Sequence, residues 1–381
     1  MSEARTPHVV DDRPFDPGAD DALSGLKSAS VWRLMWWKLR RHRLAVISGA
    51  FLLFCYATIA IVEVIAPYGP QDRDAGAIYA PPQTLRIFHE GALTAPFVYA
   101  YKQTLDTETF QRIYVEDWAR PQPLRFFCEG TPYDFWNIAP ADFHLVCPAE
   151  GGTLFLLGTD RLGRDVFSRL VYGARISLTV GLFGVMISLV FGVVFGGLAG
   201  YFGGWTDAIV MRTVELLRSL PELPLWLALS AALPVTWSPI LVYFGITIIL
   251  GLLDWPSLAR AVRGKIMALK QEDFALAAEL SGVAPARILF RHLMPNFASH
   301  LIANATLSIP AMILGETALS FLGLGLRPPV TSWGVMLDEA RNIAVIEFYP
   351  WLLAPVIPVI LVVLAFNFLG DGLRDAADPH Q

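Results

Sequence analysis

Apolar residues in this chain gather in long runs, not in the short alternations of a half-buried sheet or the narrow stripes of a soluble helix. Runs at 44–66, 176–198, 208–233, 240–253, 298–322 and 351–369 predict six membrane-crossing helices. At about 1.5 Å per residue, the first is long enough to cross a hydrocarbon core about 30 Å thick. The second is rich in glycine (Gly181, Gly184, Gly192, Gly196, Gly197), and small residues let helices in lipid approach closely. The third carries Arg212, Glu215, Arg218 and Glu222 in its first half and is broken by Pro221 and Pro224. It reads as an amphipathic start, a kink and a span, with Arg212, Glu215 and Arg218 spaced to pair along one helix face.

The segments between the runs have their own character. Residues 1–30 are polar and carry no apolar period, which predicts a disordered tail; they also lack the pattern of a cleavable signal peptide. The stretch from Trp32 to Arg43 mixes tryptophan with basic residues, as suits an interfacial helix leading into the first span, so 31–66 forms one unit. Glu63, near the outer end of that span, is placed to reach the headgroups. Residues 67–152 are polar, aromatic and proline-punctuated, with strand-like pieces at 97–101 and 124–127, and predict a small folded insert with β structure. Residues 153–172 precede the second run, 173–371 hold the remaining spans, and 372–381 form a tail.

Charge sets the orientation. Stretches 27–43 and 256–296 each carry six Lys and Arg residues, and with six spans both fall on the cytoplasmic side. Both termini are then cytoplasmic and the insert faces outward. Composition agrees with a membrane protein: 54% hydrophobic, 17% charged, mean hydropathy +0.48. The net charge of −5 comes with no basic stripe away from the membrane flanks, which argues against nucleic acid. Three cysteines exclude a disulfide scaffold or a metal site. Cys55 reads as packing. Cys128 and Cys147 share the insert, where an oxidising compartment would let them pair and a reducing one would leave two thiols.

The loop 256–296 is the richest in signal. Asp273 opens a short helix with small residues Ala275, Ala277 and Ala278, which would let a partner approach its backbone; Gly282 ends it, Pro285 opens a second helix, and Pro295 closes that one. On these residues alone an ordinary helix–turn–helix connector competes with a docking element. Ahead of the second span lies Gly158-Thr159-Asp160 followed by Gly163-Arg164-Asp165. It lacks the Lys-Ser/Thr pair of a Walker A loop, so it reads as a local salt-bridged turn rather than a phosphate cradle. Glu316 lies inside the fifth span, and intramembrane acids are functional suspects; helix packing and cargo contact both remain open for it.

The loop resembles the EAA motif of bacterial ABC importer permeases: Ala277, Ala278, Gly282, Leu293 and Pro295 occupy its places, with Leu276 where an acid would stand. The Gly158–Asp165 stretch, Glu316-Thr317-Ala318-Leu319-Ser320-Phe321-Leu322-Gly323 and Gly370-Asp371-Gly372 are similar to the dipeptide/oligopeptide/nickel permease family, C-type subunit, across 31–378. The resemblance implies an all-α polytopic fold of the type I importer class with a small mixed or β insert. It implies an ATPase-coupling set of Phe274, Ala275, Ala277, Ala278, Glu279, Gly282, Pro285, Arg291, His292 and Pro295. It also implies no catalytic residue and no cofactor on this chain, with ATP and Mg held by partner ATPases. The partners would be a homologous B-type permease, two ABC ATPase subunits, a periplasmic solute-binding protein and membrane lipid. Peptides are the expected cargo; oligosaccharides, opines, glutathione and nickel are alternatives within the class. A secondary transporter or channel would want charged pairs at midplane or paired broken helices. A membrane enzyme would want grouped histidines or a nucleophile with its base.

Overall fold

The computed structural model describes residues 31–89, 92–105, 107, 112–136 and 138–377; the expected disordered tail at 1–30 lies outside them. Helix α1 (Val31–Arg41) is amphipathic. Its Met35 and Leu39 are buried in a cluster with Leu373 and Ala376, while Trp36 and Trp37 are exposed under the Arg40 and Arg41 guanidiniums at 5.6 and 3.4 Å. That division of apolar core and cationic–aromatic surface suits a helix lying in an interface. Nδ1 of His42 accepts from the Ala45 amide (3.1 Å), capping α2 (Arg43–Ala60).

The remaining long helices are α3 (Val166–Phe202), α4 (Gly204–Ser219), α5 (Glu222–Ala231), α6 (Pro239–Leu269), the short α7 (Asp273–Leu280), α8 (Met294–Phe321), α9 (Trp333–Glu339) and α10 (Val356–Ala377). Among the described residues, five helical stretches are long and apolar enough to cross a membrane: α2, α3, α6, Pro285–Phe321 and Pro350–Ala377. The fourth expected run continues well past residue 253, because α6 absorbs Pro256 in its interior. The expected tail at 372–381 begins as helix: α10 runs to Ala377, and residues 378–381 lie outside the described part.

The third expected run is divided. Leu220 and Pro221 are extended (ψ 140° and 127°), and α5 alone is about 15 Å long. Its two pieces nevertheless follow α6 in antiparallel order. Asp207 on α4 holds Arg263 through both carboxylate oxygens, Arg218 donates to Ser257, and Leu233 packs on Gly245. From Gly245 to Arg263 is about 27 Å of helix. Arg212 pairs with Glu215 as spaced (3.0 Å), but Arg218 leaves that row for the α6 serine.

The insert does hold β structure. Strands β1 (Arg86–His89), β2 (Ala92–Leu105) and β3 (Arg112–Pro123) form an antiparallel sheet in the order β1-β2-β3, and β4 (Arg125–Phe135) pairs with β5 (Ala139–Cys147). Cys128 and Cys147 are joined by a disulfide across β4 and β5, while Cys55 is a free, half-buried thiol. The insert is tied to the helices by directed bonds. Trp136 Nε1 donates to the Ala60 carbonyl (2.9 Å), and His144 Nδ1 lies 2.8 Å from the Ala66 carbonyl. Glu63 does not reach toward headgroups. It is buried and takes a two-pronged bond from Arg175 (2.6 and 2.7 Å), whose guanidinium lies 4.1 Å from the Trp136 ring. Burial next to an arginine wins because the fork satisfies both oxygens at once.

At the centre, α3 and α6 pack backbone to backbone. A Cβ on Gly192 would meet Leu258 Cβ at 2.6 Å, and one on Gly196 would meet the Ala259 carbonyl oxygen at 2.4 Å. A Cβ on Gly251 would meet the Gly184 carbonyl oxygen at 2.7 Å. Lipid tails give helices no hydrophobic reason to associate, so this closeness, with its dispersion contacts, is what holds the pair. Gly196→Ala must therefore force the helices apart. A loss of about 1–3 kcal/mol is expected, of the order of overpacking, measured as a lowered unfolding midpoint in detergent; an unchanged midpoint would show that the pair is not tightly seated there.

Candidate signature clamp and coupling surface

The Gly158–Asp165 stretch folds as a closed turn, and its charges are buried. Gly158 and Gly163 both have positive φ, and at Gly163 a Cβ would overlap the Asp74 carbonyl. Thr159 is sealed, its Oγ1 accepting from the Ala80 amide at 2.7 Å. Asp160 Oδ1 accepts from the amides of Leu162 and Arg164 (2.7 and 3.1 Å). Its Oδ2 accepts from Arg164 Nε (2.7 Å) and from Arg169. Both guanidiniums then reach Glu339 at the end of α9, at 2.8 and 3.0 Å. Two carboxylates and two guanidiniums thus form a neutral box, all four nearly inaccessible to solvent. The expected salt-bridged turn is present, but it is a long-range clamp between the start of α3 and the end of α9.

Asp165 stands beside this box and caps α3. Its Oδ2 accepts from the Ser168 amide and hydroxyl (2.8 and 2.6 Å). Burial pushes its carboxyl up to about 6, against the lowering effect of the Ser168 bonds.

Glu316 is fully buried in α8. Hydroxyls of Ser177, Ser320 and Ser332 lie 3.1, 2.8 and 2.7 Å from its oxygens. Each of those hydroxyls already accepts a backbone N–H, from Trp333, Leu326 and Val335 respectively. Each therefore has its one proton to give to Glu316. The carboxylate ties α3, α8 and the N-terminus of α9 at one point and is closed to any passing molecule.

The expected coupling residues come together at the opposite end of α3 and α6. Helix α7 ends in a Schellman turn: the Gly282 amide donates to Glu279 (3.0 Å) and the Val283 amide to Ala278 (3.2 Å), with Gly282 at φ 74°. Its small face points inward. Ala275 is buried, and it packs with Ala278 in a cluster with Tyr201, Ile266 and Leu289. The exposed face carries Phe274, Leu276 and Leu280 together with Ala277 and Glu279, and Leu280 is 89% exposed. The small side chains thus seat the helix on its own protein, and large apolar ones are left outside. Lys270 fastens the turn before α7, donating to the Tyr201 carbonyl (2.9 Å) with its ammonium 4.9 Å from that ring.

Pro285 opens the next helix as expected. Pro295 does not close it. Helix runs from Pro285 to Phe321 through a π-helical turn at Ile288–Leu293 that widens the backbone just ahead of the proline. A wider turn relieves the clash of the ring with the preceding carbonyls. Arg291 is exposed on this turn, and the carbonyl of the half-buried His292 accepts from Asn296 Nδ2 (2.6 Å). Among the described residues no group of three or more His, Cys, Asp or Glu side chains is placed to hold a metal ion.

Residues 192–381 match the family of binding-protein-dependent transport system inner membrane components, and residues 30–82 match the N-terminal transmembrane domain of oligopeptide transport permease C. A putative peptide permease protein of Brucella suis is 43% identical over 225 residues, covering 58% of this chain and 72% of that one. The dipeptide transport system permease protein of Alkalihalophilus pseudofirmus is 42% identical, covering 59% and 71%. The oligopeptide transport system permease protein of Haemophilus influenzae is 39% identical, covering 71% and 80%. The chain belongs to the dipeptide/oligopeptide ABC permease family as a C-type subunit. A chain of an inward-facing methionine ABC transporter aligns at 18% identity with a TM-score of 0.43, over 56% of this chain and 97% of that one. That likeness is too slight to bear on topology.

Within this permease, sequence reasoning missed two residues. Glu339 carries the far half of the clamp, but nothing in its local pattern pairs it with a motif more than 160 residues away. Asp254 sits at the midpoint of α6 and accepts from Ser188 on α3 (2.9 Å). The acid itself was the signal, masked because the apolar run stops one residue earlier.

Two measurements test the clamp. Glu339→Gln leaves two buried guanidiniums with one carboxylate and is expected to cost about 3–5 kcal/mol, seen in detergent unfolding; a near-native midpoint would contradict the buried box. For Asp165 the folded carboxyl titrates above its unfolded value of about 3.9. Folding then takes up a proton between those values, so its contribution to stability is lost as pH rises through that window. Asp165→Asn keeps the cap, and its stability relative to wild type is expected to improve from about pH 5 to about pH 7.5. A difference that stays constant with pH would rule out the raised titration.

Proposed function

We propose that this permease forms half of the translocation pathway of an ATP-driven importer for peptides or similar small solutes. A homologous B-type permease supplies the other half, two ABC ATPase subunits dock from the cytoplasm, and a periplasmic binding protein delivers cargo. The relatives named as peptide and dipeptide permeases support the cargo class. In this reading α4 and α5 together make the sixth crossing, since their contacts run the length of α6. Both termini and α7 are then cytoplasmic, the insert and the signature clamp are periplasmic, and ATP and Mg stay on the partner subunits.

The observation that carries the reading is the outer face of α7. Phe274, Leu276 and Leu280 are large, apolar and exposed on a helix whose inner face is locked to α3 and α6. Apolar side chains held rigidly outward suit a groove on another protein. Leu276 stands where an acid would precede Ala277 in the EAA pattern, so the contact rests on packing more than on charge. Closure of the ATPases would move α7, and α3 and α6 would carry that motion into the membrane as one of two arrangements.

The double variant Leu276→Asp, Leu280→Asp tests this in the reconstituted importer. ATP-driven peptide uptake is expected to fall at least about tenfold, with insertion and unfolding midpoint retained because both side chains are exposed. Uptake at the wild-type rate would refute docking through this face.

A further inference from the structure

Two of the carboxylates inside the long apolar helices, Glu316 and Asp254, differ in access. Glu316 is sealed by three serine hydroxyls. Asp254, at the midpoint of α6, lines a narrow cleft of about 30 Å³ together with Arg218, Glu222 and Ser257. Arg218 lies in the last turn of α4 and Glu222 in the first turn of α5, either side of the extended Leu220–Pro221 link. Trp226 and Met312 form the apolar walls. The cleft is level with the middle of the α3–α6 packing, since Ser188, which donates to Asp254, is one turn from Gly184 at the Gly251 contact.

Charges of both signs at this depth are costly against lipid, and they are tolerated where they face protein or water. The same holds for the backbone groups freed where a helix is interrupted. Arg212 and Glu215, one to two turns earlier on α4, are 85% and 60% exposed at the side chain, so the polar face extends past the cleft. A second cleft of about 160 Å³, lined by Ser230 and Arg327, lies at the other end of α5. Polar groups thus flank the apolar middle of α5 at both of its ends.

We propose that Asp254, Glu222 and Arg218 form a mid-membrane contact site for a zwitterionic solute in transit. The two carboxylates face its ammonium group, and the guanidinium faces its carboxylate. The charges of opposite sign on either side of the helix break suit a solute that carries both an ammonium and a carboxylate. Ser188 on α3 and Ser308 on α8 hold the Asp254 side chain in place; the charge does the recognising. A site of this kind must be weak enough to release cargo, and the small cleft with few donors meets that condition. The inference rests on the importer reading given above.

The test uses the complete importer in liposomes with a labelled tripeptide bearing free termini. Asp254→Asn keeps the size of the side chain and its bond to Ser188, yet uptake is expected to fall at least about tenfold, with Asp254→Glu recovering most of it. Ser188→Ala, alone or with Ser308→Ala, removes the interhelical bonds and leaves the charge, and is expected to change uptake by less than about threefold. In a Cys55→Ser background, the Ser257→Cys thiol is expected to react with a cationic, lipid-insoluble thiol reagent, and the tripeptide is expected to slow that reaction. Equal losses in Asp254→Asn and Ser188→Ala would make the carboxylate a structural acceptor and overturn the site. A Ser257→Cys thiol that stays unreactive at rest and during ATP turnover would seal the cleft against another subunit and overturn it equally. A wild-type complex with no ATP-driven tripeptide uptake would bring down the importer reading and this inference together. Normal wild-type uptake combined with either of the other failures overturns the inference alone.

Discussion

The close approach of α3 and α6 is the contact on which the other parts are hung. Without a hydrophobic drive in lipid, two helices stay together only if their backbones come near enough for dense packing. Gly184, Gly192, Gly196 and Gly251 provide that approach. At one end the pair carries the charged clamp, in its middle the Asp254–Ser188 bond, and at the other end the seat of α7. One rigid element therefore touches the three places where the chain has chemistry.

The molecule handles buried charge in three ways, and the difference separates structure from function. The clamp neutralises two carboxylates with two guanidiniums inside protein, where losing one member strands the rest. Glu316 has its charge solvated by hydroxyls that are themselves oriented by backbone amides. Asp254, Glu222 and Arg218 form no ion pair with one another, and they line a narrow cleft. The first two arrangements fix a fold. The third is the arrangement on which the proposed contact site rests.

The membrane class and the five strongest helices were legible because length and apolarity decide them directly. The break at Pro221 was visible as well, since proline removes a donor and leaves residue 220 extended. Other features depend on distant partners. Glu63 reads as a headgroup-seeking acid until Arg175 is seen to fold onto it. Ala275 and Ala278 read as a surface for a partner, but whether a small face points in or out depends on what packs behind it, here Tyr201 and Leu289. Pro295 reads as a helix end, and only the π-helical turn ahead of it lets the helix continue. Glu339 had no local signal at all. Periodicity reports the solvent an element sits in, whereas pairing is a property of the folded chain.

In the proposed importer, α7 is the surface through which ATPase subunits move this permease. Amide hydrogen exchange across Asp273–Leu280, compared between the permease pair alone and the pair with its ATPases bound, addresses it most directly. Exchange in α7 is expected to slow on ATPase binding, with β1–β5 of the insert unchanged. Exchange in α7 that is the same with and without the ATPases would contradict it.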